Sequence, residues 1–395
     1  MAIQREASHI TLQPLAGKAG PGDETGYTDF VGPIPMNPAV IYSEPASGKA
    51  MRRDLPSRAR EYPKLRFMGS KHRLLPWLHE VFSRVEFDTA LDAFSGTGCV
   101  AYLLKSMGKE VTTNDFLQFA SLFATALIEN SEEVLEQKDV DRLLATPAQS
   151  RCFIERTFSG IFFTPTDLRF LDQVWANLWR LRSPYRKALA LSALIRSCIK
   201  RQPRGVFTVA GDPERYKDGR RDLRLSLRDH FIEQVDVLSR TVFNSGRRSR
   251  ALHGDVFAVE PDAFDLVYMD PPYVPRADDN CYIKRYHFLE GLCCYWEGLT
   301  ILEDSRVKKL QKRYTPFSYR RQSVDAFDRL FARFRKSILV LSYSSNGYPD
   351  LDDLLQLMSR YKSSVSVFET DHRYHFGNHS AVQRSMVKEY LILGV

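Results

Sequence analysis

Thr89-Ala90-Leu91-Asp92-Ala93-Phe94-Ser95-Gly96-Thr97-Gly98 opens as a short apolar run and closes on two glycines one residue apart. The run predicts a buried strand. The glycines predict a turn where backbone bends tightly and a ligand approaches with no side chain between. Apolar residues then recur at helical spacing from Val100 to Met107, so the turn opens a helix. A second strand, Glu110 to Thr113, stops at Asn114-Asp115, and a further helix runs through Ile128. Strand, helix and strand in this order form a βαβ unit with parallel strands, and the fold class is α/β.

Upstream, Leu74 to Val85 has helical spacing, while residues 1–60 are rich in Gly, Pro, Ser and charge, with Pro33, Pro35 and Pro38 breaking any period. They read as an arm or linker. Downstream, residues 131–250 change character, with helical stretches at Val174–Leu181 and Leu189–Ile199 and then an Arg-rich run. This is a helical insertion between sheet strands. Trp175 and Trp179 are four apart on one helical face and are expected in the core. The sheet resumes at Phe264-Asp265-Leu266-Val267-Tyr268-Met269, which runs into Asp270-Pro271-Pro272-Tyr273. A helix around His287 to Trp296, a strand over Ser337 to Tyr343 and a last strand over Lys388 to Leu393 complete residues 251–395. Segments 61–130 and 251–395 thus build one domain around the insert.

The 395 residues carry 56 Lys and Arg against 48 Asp and Glu, a formal charge of +8 that favours an anionic partner. Six cysteines include no Cys-x-x-Cys pair, and the adjacent Cys293 and Cys294 are poorly spaced to chelate zinc, so no metal site is expected. No run of about 18 apolar residues lacks charge, and no basic head precedes an apolar stretch at the N-terminus. A soluble, cytoplasmic protein without membrane contact is expected.

The Asp92-Ala93-Phe94-Ser95-Gly96-Thr97-Gly98 turn is a nucleotide-type loop. Asp115, about 20 residues further on, lies where a carboxylate accepts ribose hydroxyl hydrogens. The third glycine of a dinucleotide fingerprint is missing, Ala101 standing three places after Gly98, which argues for a nucleoside without phosphates. S-adenosylmethionine fits better than NAD, and an oxidoreductase using NAD is the poorer reading. Ahead of the loop, the Lys64–Lys71 segment joins an aromatic residue, Phe67, to Gly69 and Lys71.

Asp270-Pro271-Pro272-Tyr273 is the most specific signal. An aromatic amine is a weak nucleophile because its lone pair is delocalised into the ring. A carboxylate and a backbone carbonyl that both accept hydrogen bonds from the amine draw it toward tetrahedral geometry and aim the lone pair. Asp270 supplies the first acceptor and the Pro271 carbonyl the second. Consecutive prolines, Pro271 and Pro272, fix φ and hold that carbonyl rigid. Tyr273 offers a face on which an extruded base stacks.

In these residues the chain resembles the alpha-group, Dam-like adenine methyltransferases of DNA. The matching features are the Phe67, Gly69 and Lys71 segment, the Phe94-x-Gly96-x-Gly98 loop, and a long insert before Asp270-Pro271-Pro272-Tyr273, in that order. The resemblance covers roughly residues 62–129 and 251–395, and the insert matches nothing named. It implies a class I methyltransferase fold, Rossmann-like, with a seven-stranded mostly parallel sheet and helices on both sides. It also implies S-adenosylmethionine as cofactor, with Asp92, the glycine loop and Asp115 around it and Asp255 accepting from the cofactor's adenine. Double-stranded DNA is the implied substrate, the insert the target-recognition region, and a cognate restriction endonuclease a possible companion. The leading aspartate favours adenine. Methylation of cytosine N4 or of an RNA base is the alternative, and a DNA-binding protein without turnover the reading of another class.

Arg201, Arg204, Arg220, Arg221 and Arg224, with Lys200, Arg215, Lys217 and Arg228 around them, suit phosphate neutralisation and base reading, against a plainly solvated helix surface. A second basic stretch, Arg306 to Arg321, places Lys309, Lys312 and Arg313 among Tyr314, Phe317 and Tyr319, a mixture suited to a clamp on backbone and unstacked bases. His375, His379 and Arg384 are expected on a hairpin.

Overall fold

The computed structural model describes residues 40–42, 54–149, 151–211, 219–275, 282–373 and 386–395. Pro33, Pro35, Pro38, Arg215, Lys217, His375, His379 and Arg384 lie outside them. Strand β1 (Val40–Tyr42) and helix α1 (Ser57–Glu61) come from the span expected as an arm. Helix α2 (Leu75–Phe82) carries Pro76 in its first turn, where no N–H is needed, and buries Leu75, Leu78, Val81 and Phe82. The predicted βαβ unit follows as β2 (Thr89–Asp92), α3 (Cys99–Ser106) and β3 (Glu110–Asp115). Helix α4 (Gln118–Ala124) then loosens into a π-helical turn over Thr125–Glu129.

The insert is helical: α5 (Gln137–Leu144), α6 (Phe153–Phe158), α7 (Pro165–Asn177), α8 (Pro184–Arg201), α9 (Arg221–Arg224) and α10 (Leu227–Thr241). Ser183 starts α8 by accepting from the N–H groups of Tyr185 and Arg186 at 3.1 and 3.3 Å. Most of α8 is buried because it packs on both α4 and α10, so the insert shares its core with the sheet. The two tryptophans part company. Trp175 donates to the Leu292 carbonyl at 2.7 Å. Trp179, expected in the core, is 69% exposed. The cause is a tightening of the helix to a 3-10 turn over Leu178–Arg180, which advances each residue by about 120° and swings Trp179 off the buried face.

The remaining elements are β4 (Arg250–His253), β5 (Leu266–Met269), β6 (Val274–Pro275), α11 (Tyr282–Cys294), α12 (Arg320–Arg333), β7 (Ile338–Ser344), β8 (Gly347–Tyr348), α13 (Leu351–Met358), β9 (Val365–Arg373) and β10 (Met386–Gly394). The sheet order is β1-β9-β10-β7-β5-β2-β3-β4, the expected seven strands with β1 added at the β9 edge. Strand β10 runs antiparallel to both neighbours, and the other pairs are parallel. All of β5 is buried, Leu266 and Tyr268 in the core on one face and Val267 and Met269 in the core on the other, as a central parallel strand requires.

From β2 the chain proceeds to β3 and β4 on one side, and later to β5 and β7 on the other. Strands β2 and β5 therefore flank a topological switch point. At its carboxyl edge, where α/β sheets bind ligands, stand the glycine loop after β2, Asp115 ending β3 and Asp270 following β5.

Candidate active site

The glycine loop is built by its backbone. Gly96 and Gly98 have φ of +53° and +80°, left-handed values that other residues resist. A Cβ on Gly96 would stand 3.5 Å from the Phe67 ring, which covers the loop. Asp92 Oδ2 accepts from Ala101 N–H at 3.1 Å and so occupies the first turn of α3. Asp115 is held by two backbone donors, Gly96 N–H at 2.7 Å and Leu117 N–H at 2.8 Å. Tyr62 donates its hydroxyl hydrogen to the Thr97 carbonyl, tying the segment that leads to Phe67 and Gly69 onto the loop.

Beneath the Asp-Pro-Pro-Tyr turn lies a buried ionic group. Lys71 Nζ is 3.2 Å from Asp270 Oδ1 and 3.3 Å from Glu389 Oε2 of β10. Burial pushes the Lys71 ammonium down, but the two facing carboxylates outweigh it and hold it charged. Burial raises Asp270 to about 6 against the opposing pull of Lys71, with Glu389 adding to the rise. Asp115 also rises to about 6 through burial, opposed by its backbone donors. Asp92 is raised well above the carboxylate range by burial and by the charges of Asp270 and Asp115. Tyr273 is buried, its ring 5.3 Å from that of Tyr343 and packed against Gly347.

A cavity of about 470 Å³ opens here. Of the residues singled out in the sequence, Phe67, Gly69, Lys71, Asp92, Phe94, Gly96, Asp115, Asp270 and Pro272 line it, joined by Lys312 and Arg313 of the second basic stretch. Gly98, Pro271 and Tyr273 shape the adjoining backbone and are not among the lining residues. Asp255 is exposed, accepts from Phe257 N–H at 3.0 Å and also lies off the wall. Tyr282, Ser318 and the buried partner Glu389 carry no signal for the site in the amino-acid sequence, whereas Phe116 directly follows Asp115. Exposed Tyr314 and Tyr319, 5.1 Å apart at their ring centres, also border the cavity.

The insert arginines are placed elsewhere. Arg201 is buried, its Nε 3.4 Å from Asp167 and its Nη1 donating to the Leu223 carbonyl. Arg220 donates to the Pro203 carbonyl at 2.9 Å, and Arg221 pairs with Glu233. Arg204 and Arg224 are exposed, and Lys309 is half-buried.

A nucleotide-type loop, a trailing carboxylate and an Asp-Pro-Pro-Tyr turn thus converge on one cavity. The family model for D12 class N6 adenine-specific DNA methyltransferases matches residues 67–342. The chain belongs to this class. Among similar proteins, the type II methyltransferase M2.HphI of Haemophilus parahaemolyticus is 31% identical over 80% of this chain and 93% of the relative. The modification methylase LlaI of Lactococcus lactis subsp. lactis is 24% identical over 81% of the chain, and the type II methyltransferase M.FokI of Planomicrobium okeanokoites 23% over 83%. The chain spans about half the length of these two, 53% and 52%. This D12 enzyme therefore methylates adenine in DNA and uses a methyl donor. Among the described residues no helix is long and apolar enough to cross a membrane.

Proposed function

We propose that the cavity takes S-adenosylmethionine and that Asp270 and the Pro271 carbonyl grip the exocyclic amine of an adenine extruded from duplex DNA. The observation that carries this reading is the gathering of three acidic side chains, Asp92, Asp115 and Asp270, around one cavity whose buried lysine is already paired with Asp270, and a bound cation draws the raised Asp92 back toward its ionised form. Such a wall favours a ligand of fixed positive charge without phosphates. A pyrophosphate would meet repulsion and would find the first turn of α3 capped by Asp92. S-adenosylmethionine carries a sulfonium and an ammonium, and when bound it supplies a methyl group activated for transfer.

Asp92 Oδ1 and Ser95 Oγ are buried without a partner and provide acceptors for the ammonium. Asp115, steadied by Gly96 and Leu117, keeps lone pairs for ribose hydroxyls. At neutral pH Asp270 is ionised; Lys71 holds Oδ1, and the other oxygen receives the amine. Tyr273, packed on Tyr343, braces the proline turn, while the exposed faces of Tyr314 and Tyr319 stand where an extruded base would stack. Residues 61–130 and 251–395 act as the catalytic domain. Residues 131–250 act as the target-recognition region, with Arg204 and Arg224 at its exposed surface, while Lys312 at the cavity and Lys309 in the same basic stretch take phosphates. Asp255 is assigned a rim contact to the donor's adenine. The type II naming of two relatives supports a cognate restriction endonuclease, and a DNA substrate supports action in the cytoplasm. Duplex DNA incubated with labelled donor and digested to nucleosides should yield N6-methyladenine, and Asp270→Ala should yield none; label on cytosine, or on no base, would overturn the reading.

A further inference from the structure

One fully buried carboxylate beside the cavity has no part in the chemistry above. Glu290 of α11 is 1% exposed. It accepts from Gln118 N–H at 3.0 Å and Phe119 N–H at 3.3 Å, supplying from another helix the cap that α4 lacks, since its own N-cap residue is Leu117. Its Oε1, the acceptor for Gln118, also receives Arg313 Nη2 at 2.5 Å, while Phe119 is bound by Oε2. The Arg313 guanidinium in turn lies 4.9 Å over the centre of the Phe116 ring. Phe116 and Arg313 both line the cavity next to Asp115. One carboxylate therefore joins the helix that follows the catalytic turn, the helix that follows Asp115, and the stretch at the cavity mouth. A helix start can be capped by a neutral side chain; a charge desolvated this completely is matched by the guanidinium it holds.

We infer that Glu290 is a positioning residue for the donor's nucleoside. It fixes Arg313 across Phe116 as the closing wall at the Asp115 end of the cavity, and through Arg313 it couples donor binding to the basic stretch at the mouth. The inference rests on reading the cavity as the S-adenosylmethionine site.

Calorimetry with S-adenosylhomocysteine tests it on the full chain without turnover. Glu290→Gln keeps the volume and an acceptor for α4 but releases Arg313; Arg313→Met removes the guanidinium and leaves Glu290 buried without its cation, so it should lower the melting temperature, and binding is measured well below the melting point of each variant. Each should weaken binding on the order of tenfold, raise KM for the donor more than it lowers kcat, and add little to the other in the double variant. Arg313→Met with wild-type binding overturns the inference whatever Glu290→Gln does to the fold, and so do fully additive losses. Absence of binding by the wild type would remove the cavity reading itself, which Asp115→Asn addresses separately as the variant expected to lose the nucleoside.

Discussion

Between residues 200 and 228 Arg201 turns inward, Arg220 donates to the Pro203 carbonyl and Arg221 pairs along the surface, whereas between 306 and 321 basic and aromatic side chains collect at the cavity mouth. As sequence both stretches are rich in Arg and Lys, the second with Tyr314, Phe317 and Tyr319 interleaved. What separates them is the company each keeps. In the insert, helices α7, α9 and α10 present acidic partners, Asp167, Asp222 and Glu233, and the end of α8 presents carbonyls. Even Arg66, just before Phe67, is drawn to that end, donating to the Lys200 carbonyl at 2.6 Å. In the second stretch Arg313 is bound by a buried carboxylate, Glu290. A basic run thus reports neither DNA contact nor structural bracing until the acids that fold onto it are known.

The contrast is broken most severely at Arg201. Arg201→Met leaves Asp167 buried without its cation and should lower stability by about 3–5 kcal/mol, read from denaturant melts. Weakened DNA binding with unchanged melts would mean instead that the insert arginines serve the substrate directly.

Protons separate the two regions next. On the cavity side, Asp115 and Asp270 rise from 3.8 to about 6, chiefly by burial. The folded state holds these protons more tightly than the unfolded chain, so these two groups add stability as pH falls from about 6 toward 4 and subtract it on the way back. On the insert side the signs reverse. A hydrogen bond from Arg221 lowers Glu233, and one from Ser226 lowers Asp229, so their contribution is present above the ordinary carboxylate range and is lost as pH falls through the lowered values. Activity follows the cavity: kcat/KM should drop roughly tenfold per pH unit below about 6 as Asp270 loses its acceptor form. A pH–rate profile measured beside melting temperatures should show activity failing first. A flat profile down to pH 5 would take Asp270 out of the acceptor role.

How much of this was legible beforehand follows the same division. The βαβ unit, the glycine loop and the Asp-Pro-Pro-Tyr turn announce themselves because local backbone demands, left-handed glycines and fixed proline φ, leave a mark in the residues themselves. Strand β4 hid because its residues are largely exposed and show no alternation, β9 because its second half is polar, and β1 because it is short and surrounded by prolines. Glu389 and Glu290 are single acids in apolar surroundings whose partners lie 318 and 23 residues away, and only tertiary packing brings them together.

Lys312 tests the mouth with a smaller effect. It is exposed and lines the cavity, and Lys312→Ala should weaken duplex DNA binding several-fold at moderate salt and reduce the slope of log affinity against log salt by about 0.9, the signature of one lost phosphate contact. An unchanged slope would place the DNA elsewhere.

The smallest expected effect is the sharpest on the comparison. Arg221 faces solvent, holds Glu233 through both terminal guanidinium nitrogens, and stands in the run that sequence alone would send to DNA. An exposed ion pair gains little from Coulomb attraction that water and salt already screen, so Arg221→Ala should leave the melting temperature where it was. Its DNA affinity should also match the wild type, because Glu233 already neutralises the charge a phosphate would need. Should affinity fall while Lys312→Ala has no effect, the roles of the two stretches would be exchanged: the insert would carry the backbone contacts, and the mouth would serve the donor alone.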